Sequence, residues 1–400
     1  MIVQRELRRR AWFQVDAPAA ADVLIVCGEP GVGLAEAVDA VWAEVPGPRA
    51  RVRLPPRASE VAAVEAMDRA VAELADIAAQ REDARSRIAA GPWEPSEGSH
   101  GDSEHGSHEL GHDDDEHGGH DSHTVADDGS GEGDHGGHGG HEHHMMGAPG
   151  GLAMAERAPD RDGLKLDVLH VPLGPVLPDW PAGLRLMLTL QGDVVQSAEV
   201  HVLDGAGGGR FWDEPWLAAP ERVTQGEAER RRAAAHLDSV ARFLGVAGWR
   251  GQAERALWLR DAVLAGRPGN ELAPRFTRFA RRTGRSWSLR WMTRGIGVID
   301  EDTVRRYGLT GPAARHLGDV PARLAGWLAE IGGAMTRLDD SSALNDDEGP
   351  RGPVRAESSS ALLAALPSLL DGAELAAARL IVASLDPDLD QVMAVNAANG

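Results

Sequence analysis

The sequence predicts an α+β fold, and two patterns support this prediction. Leucine occupies every second position over residues 184–190, Gln191-Gly192-Asp193 follow, and a second extended stretch covers residues 194–202. Such alternation around a glycine-containing turn is typical of a β-hairpin with one buried face. Beyond it, apolar residues recur at helical spacing over residues 227–244, 252–264, 321–338 and 359–383. Residues 151–400 therefore predict a domain in which a hairpin-bearing sheet packs on helices.

Residues 1–95 predict a small α/β unit. An apolar run at 23–26 is followed by a Gly/Pro turn and by a helical pattern over 34–45. A second helix is predicted over residues 60–90, with Ser59 as its N-cap and Gly91-Pro92 as its stop. Gly28 and Gly33 imitate a phosphate-binding loop, but leucine and alanine follow where that loop needs lysine and a hydroxyl residue. The spacing therefore favours an ordinary strand-to-helix turn.

Residues 96–150 have an entirely different composition. Between His100 and His144 lie twelve of the sixteen histidines and thirteen carboxylates, among glycines and serines and without Lys or Arg. Because such a segment has too little apolar surface to offset the entropy of ordering its backbone, the composition predicts a disordered linker.

The histidines of this linker are candidate metal ligands. Five of them stand close together, namely His135, His138, His141, His143 and His144. Neutral imidazoles at this spacing can surround nickel, zinc or copper without a fold, and the neighbouring carboxylates raise the local cation concentration. A merely solvating spacer is the alternative, because polar tracts also persist where nothing selects against them.

Composition excludes several functional classes. The net charge of −21 argues against nucleic-acid binding. Cys27 is the only cysteine, which excludes a disulfide framework, a thiolate zinc site and a self-contained iron-sulfur cluster; we expect it to be a small core residue of its strand. No run approaches the roughly 18 apolar residues of a membrane span, and no apolar segment follows the basic start, so we expect a cytoplasmic protein.

Two stretches of the N-terminal unit, residues 21–28 and 34–49, resemble part of the bacterial proton-pumping NADH-quinone oxidoreductase. The similar region is the middle of the component that is related to hydrogenase small subunits and contains the last iron-sulfur cluster before quinone. In that family, cysteines on both sides of this region bind the cluster. Neither flank has a cysteine here, so the resemblance implies a fragment without the cluster.

A longer resemblance begins in the hairpin region. Residues 174–195 with 198–201 are similar to the signature hairpin of another component of the same oxidoreductase, the relative of the nickel-iron hydrogenase large subunit. We call this component and its relatives the large-subunit family. Further segments match it in the same order: Gly245-Val246, 252–260, 293–315, 366–372 and 383–386. The order and the number of these matches make the resemblance specific.

Departures from the pattern of the large-subunit family decide the expected chemistry. The family hairpin has two loop histidines, one of which hydrogen-bonds quinone, and these positions are Leu177 and Pro181 here. Neither residue can donate a proton or a hydrogen bond. The family also has a tyrosine that faces the quinone, and we identify no counterpart of it here. Tyr307 is the only tyrosine, and we expect it to be a packing residue. The stretch 265–291 is also shorter than in the family, so part of the helical bundle is expected to be missing.

What remains of the family pattern is scaffold. Four residues match family positions, and each can instead be an ordinary surface, ion-pair or structural residue: Arg185, His201, Arg294 and Arg315. We therefore assign no catalytic and no cofactor-binding residue, and we expect no intrinsic cofactor.

The resemblance implies a component or accessory protein of an NADH-quinone oxidoreductase or a related hydrogenase, a family that binds quinone and NAD. We expect the chain to be inactive by itself. Its partners would be the other proteins of that membrane-bound complex, which would place it on the inner face of the cell membrane. The alternative is a metal-handling or assembly protein that uses the histidine-rich linker to bind nickel or zinc.

Overall fold

The computed structural model describes residues 1–91, 157–159, 165–203, 209–218 and 223–393, and its fold is α+β, as the sequence predicts. The predicted disordered linker and its five candidate metal ligands lie outside these residues. The division into residues 1–95, 96–150 and 151–400 stays a prediction. In the structure, the described residues on either side of the linker belong to one compact unit, in which Arg8 pairs with Asp261 and Arg260 donates to Gln4 at 2.9 Å.

The N-terminal part is a small α/β arrangement. Its elements are α1 (Ile2–Arg9), β1 (Val23–Cys27), α2 (Val32–Glu44), β2 (Ala50–Leu54), α3 (Glu60–Ala75) and α4 (Ile77–Ala90). The strands β1 and β2 pair in parallel, from Val23 opposite Ala50 to Cys27 opposite Leu54, and α2 provides the crossover that such pairing requires. Helix α3 packs its alanines against the buried residues of β2.

Two predictions for this part are wrong. Residues 60–90 form two helices, because Asp76 ends α3 and accepts hydrogen bonds from the N–H groups of Ala78 and Ala79 as the N-cap of α4. Aspartate favours that position over a helix interior. Cys27 is exposed at the end of β1 and is not a core residue. Ser59 caps α3 as predicted, accepting from Ala62 at 3.1 Å.

The predicted hairpin is confirmed. The strands β3 (Arg157–Pro159), β4 (Lys165–Leu173), β5 (Leu184–Gln191) and β6 (Val194–Val202) form an antiparallel sheet in the order β3-β4-β5-β6. All four alternating leucines of β5 are buried, and Gly192 in the turn has a φ of +63°. The leucine face packs against the last two helices of the chain.

Helices dominate the remaining chain. They are α5 (Glu214–Leu217), α6 (Gln225–Val246), α7 (Arg250–Leu264), α8 (Gly269–Gly284), α9 (Trp287–Thr293), α10 (Glu301–Tyr307), α11 (Gly311–Arg315), α12 (Val320–Met335), α13 (Ser358–Leu370) and α14 (Leu375–Leu385), with the short strands β7 (Glu348–Gly349) and β8 (Gly352–Pro353) between α12 and α13. A capping box of Thr224 and Glu227 starts α6. This central helix packs against α7, α12 and α14.

The predictions for residues 227–244, 252–264 and 321–338 are confirmed to within three residues as α6, α7 and α12. The stretch 359–383 is two helices, because its middle pairs with the hairpin turn: Val195 donates to Ala373 at 2.9 Å and Gly372 donates to Val195 at 2.8 Å. Tyr307 ends α10 and packs against the hairpin core, as expected. Sequence periodicity missed α8 and α9.

Among the helices that the structure describes, none combines the length and the apolar character that crossing a lipid bilayer requires.

Candidate functional site

The loop between β4 and β5 is fixed by its own side chains. Gly174 has a φ of +91°, and a Cβ there would lie 2.2 Å from the carbonyl oxygen of Leu184. Trp180 is buried and donates its indole N–H to that same oxygen at 2.7 Å. The ring therefore closes the loop against the hairpin, and only glycine fits at position 174.

Two further residues of this loop are apolar and enclosed. Leu177 packs against the hairpin core, and Pro181 is buried. Neither side chain has an N–H or an O–H group. Leu177 and Pro181 therefore supply no proton donor to this loop.

Asp179 is the only acidic residue of this loop. Its φ is +57°, and its carboxylate lies so close to Gly245 that a Cβ there would be 2.2 Å from Oδ2. Burial raises the pKa of Asp179, while the charge of Arg250 opposes this rise and that of Asp16 adds to it. Gly245 is therefore the contact through which the loop packs on the end of α6, which explains why a glycine stands there.

A buried ion-pair cluster lies at the end of α14. Asp386 takes the left-handed conformation that ends this helix, with a φ of +43°, and both of its partners are arginines. Arg351 lies 2.5 Å from its Oδ2, and Arg242 lies 3.1 Å from its Oδ1. Arg351 also donates to Ser239 at 2.9 Å. The carboxylate thus links α6, α14 and the segment before α13.

Asp388 lies beside this cluster. Burial raises the pKa of Asp388 to about 6, and the charge of Arg351 only partly opposes the rise. A chain of hydrogen bonds continues from it: its backbone N–H donates to Ser359, Ser359 donates to Gln391 at 2.7 Å, and Gln391 donates to Asp213 at 2.9 Å. One carboxylate oxygen of Asp388 has no partner within the described residues. This carboxyl can therefore take up a proton near neutral pH.

A second cluster is centred on Glu330 of α12. Its carboxylate lies 2.9 Å from Nε2 of His236, 2.9 Å from Nε2 of His316 and 3.1 Å from Arg315. Burial acts to raise the pKa of Glu330, but its contact with His236 and the charge of Arg315 outweigh it and lower that pKa well below its usual range. Burial lowers the pKa of His236. The cluster is thus an ionised carboxylate beside a buried imidazole, whose Nε2 lies 2.9 Å away without the geometry of a hydrogen bond.

A small cavity of about 20 Å³ lies next to the first cluster. Its polar lining residues are Thr310, Arg323, Arg351 and Ser384. Arg323 donates to Ser384 at 2.9 Å and to the carbonyl oxygen of Gly297 at 2.7 Å, and burial lowers its pKa to about 10. The cavity has room for about one water molecule and not for a quinone ring.

The four scaffold residues predicted from the sequence fall in three places. Arg185 and His201 face each other across the hairpin register, and His201 lies 3.7 Å from Glu199. Arg315 belongs to the Glu330 cluster. Arg294 is exposed at the end of α9.

Sequence reasoning missed the residues that form the clusters, among them Arg351, Asp388 and Glu330. A signal for the first cluster was present in Asp386-Pro387-Asp388-Leu389-Asp390, where acidic residues alternate with apolar ones after an apolar helix. His236 and Glu330 are far apart in sequence and carry no such signal. Within the described residues, no group of three or more His, Cys, Asp or Glu side chains is arranged to bind a metal ion.

No family model matches this chain, and no curated protein does either. Among solved structures, it is similar to a chain of the membrane-bound sulfane sulfur reductase, an archaeal respiratory membrane complex. The two are 15% identical with a TM-score of 0.39, over 57% of this chain and 98% of the other. The chain therefore has a distant structural neighbour in a respiratory complex, and a likeness of this size assigns neither family nor activity.

Proposed function

We propose that the chain is a non-catalytic component or accessory protein of a membrane-bound NADH-quinone oxidoreductase or a related hydrogenase. The observation that supports this most is the packing of the segments that resemble the large-subunit family. Residues of the hairpin, of 293–315, of 366–372 and of 383–386 meet in one core, with Leu186, Ile299, Leu366 and Leu385 among its members. Segments that are far apart in sequence thus stabilise one another, as a preserved scaffold requires.

The proposed lack of catalysis rests on the hairpin loop. Trp180 fills it, Leu177 and Pro181 replace the family's histidines, and one cysteine cannot bind an iron-sulfur cluster. The chain then acts by association, on the inner face of the cell membrane, and its partners are the other proteins of the complex.

Affinity capture tests this association. The tagged full chain is used as bait on gently solubilised membranes, with an unrelated acidic protein of similar size as the control bait. We expect enrichment of oxidoreductase or hydrogenase components. Recovery of the chain as a free monomer, with no such component enriched after cross-linking, would contradict the proposal.

The histidine-rich linker favours a second function, metal handling. Its close imidazole spacing suits nickel or zinc, and binding should weaken as pH falls through roughly 6.5, where imidazole takes up a proton. Deletion of residues 100–144 separates the two functions. Loss of nickel retention with normal assembly of the oxidoreductase supports metal handling, whereas impaired assembly with unchanged retention supports the structural role.

A further inference from the structure

We propose that the outer face of α8 and α9 binds directly to a membrane surface rich in anionic phospholipid. This inference is independent of the proposed function. It concerns the basic aromatic face, which we define as the seven arginines between residues 275 and 294 together with Trp287 and Trp291.

The charge of this face is opposite to that of the whole chain. Its arginines are Arg275, Arg278, Arg281, Arg282, Arg285, Arg290 and Arg294, all of them exposed. No acidic residue lies between 272 and 299. Within the described part of the chain, none of the seven forms an ion pair, although the protein as a whole has a net charge of −21. None of these charges is therefore neutralised by a carboxylate, although Arg275 and Arg282 lie over the rings of Trp258 and Trp249 at 5.1 and 5.9 Å.

The fold keeps these arginines in solvent. In α8, Leu272, Phe276, Phe279 and Thr283 are buried, a spacing that places one face of the helix on the core. The arginines of α8 lie on the remaining surface, over a helix of about 24 Å. Helix α9 is capped by Ser286 and anchored by the buried Leu289.

Two tryptophans add an apolar component. Trp287 is 77% exposed and Trp291 is 71% exposed, and their stacked rings have centroids 6.2 Å apart. Large apolar side chains are seldom left so open without a partner. Next to them lies an open groove of about 770 Å³, which Arg285, Arg290 and the start of α12 also line.

An anionic phospholipid surface would bind both the arginines and the tryptophans of this face. Arginine binds phosphate oxygens through its planar fork of donors, and tryptophan prefers the boundary between headgroups and acyl chains. The negative potential of an anionic leaflet attracts arginines that are clustered on one face of a protein. A nucleic acid fits less well, because the acidic remainder of the protein would repel an extended polyanion, whereas a planar surface contacts this face alone.

Vesicle co-sedimentation of the purified full chain tests the inference. We expect binding to vesicles of phosphatidylcholine with about 30% phosphatidylglycerol at low salt, little binding to phosphatidylcholine alone, and release at about 0.5 M salt. The double substitution Arg278→Glu/Arg282→Glu should weaken binding by about ten-fold or more. The matched control is Arg305→Glu/Arg306→Glu on the exposed helix α10, which changes the net charge equally and should leave most of the binding intact.

A second variant tests the tryptophans without relying on charge. Brominated lipid should quench the fluorescence of the native chain, and Trp287→Ser/Trp291→Ser should remove most of that quenching while thermal unfolding stays unchanged. Equal binding to both vesicle types, or equal loss in the two arginine pairs, would overturn the inference. If affinity capture recovers oxidoreductase components while vesicles do not bind, the proposed function stands and the lipid contact is wrong.

Discussion

Helix α6 and the pair α8–α9 use arginine in opposite ways. In α6, each arginine has an acidic partner: Arg230 with Asp339, Arg231 with Glu214, Arg232 with Glu229, and Arg242 with Asp386. The seven arginines in and directly after α8 and α9 have none within the described residues. The same residue type thus links elements inside the fold in one region and remains open to a partner in the other.

The first prediction tests the interior with its strongest pair. Asp386→Asn removes the carboxylate from between Arg351 and Arg242 and leaves the buried Arg351 without an acidic partner among the described residues, whereas Arg242 keeps Asp238 at 3.0 Å. Since the loss of one partner of a buried pair is severe, the free energy of unfolding should fall by about 3–5 kcal/mol in urea titrations. The control is Glu82→Gln, whose partner Arg85 is exposed, with an expected change of about 0.5 kcal/mol or less. A change of that small size in Asp386→Asn would contradict the central role of the cluster.

The second prediction concerns pH. The pKa of Asp388 is about 6 in the folded state and 3.8 in its ordinary state, so the folded protein retains a proton that the unfolded chain has lost. This group therefore lowers stability as pH rises from about 4 to about 6, by roughly 3 kcal/mol in total. Asp388→Asn imitates the protonated form and should be about as stable as the native protein near pH 4.

By pH 7 the Asp388→Asn variant should be the more stable of the two proteins. The difference between their free energies of unfolding also cancels the pH dependence that His236 contributes. That contribution has the opposite sign and is the same in both proteins. Unfolding curves measured at several pH values give this difference directly. If it does not change between pH 4 and pH 7, Asp388 does not titrate in this window.

A third prediction tests the closed hairpin loop. Trp180→Phe keeps an aromatic ring but removes the N–H that donates to Leu184. Because a buried hydrogen bond contributes about 1–2 kcal/mol, we expect a loss of that size in the free energy of unfolding. The same exchange at the exposed Trp291 is the matched control and should change stability by less than about 0.5 kcal/mol.

Patterning in the sequence predicted the elements whose signals are local. The hairpin follows from the alternating leucines, and α6, α7 and α12 follow from helical spacing. The breaks at Asp76 and Gly372 were missed, because a capping side chain and a backbone contact with the hairpin turn decided them. Helix α8 was missed because its arginines obscure the buried Leu272, Phe276 and Phe279.

The candidate site could be predicted only in part. That Leu177 and Pro181 offer no proton donor follows from residue type alone. The approach of His236 to Glu330 depends on how α6 crosses α12, which no local pattern contains. The same holds for Arg351 and Asp386, which lie on different elements.

The smallest expected effect lies on the exposed face. In α8, Arg278 stands three or four residues from Arg275, Arg281 and Arg282, so like charges repel along the helix. Arg278→Gln should therefore raise the free energy of unfolding by about 0.3–0.5 kcal/mol at low salt, and the gain should vanish near 1 M salt. On α6, by contrast, Arg232→Gln removes a partner of the buried Glu229 and should destabilise the protein by at least about 1 kcal/mol. If Arg278→Gln is also destabilising, α8 has an internal partner for this charge, and the contrast between the two regions disappears.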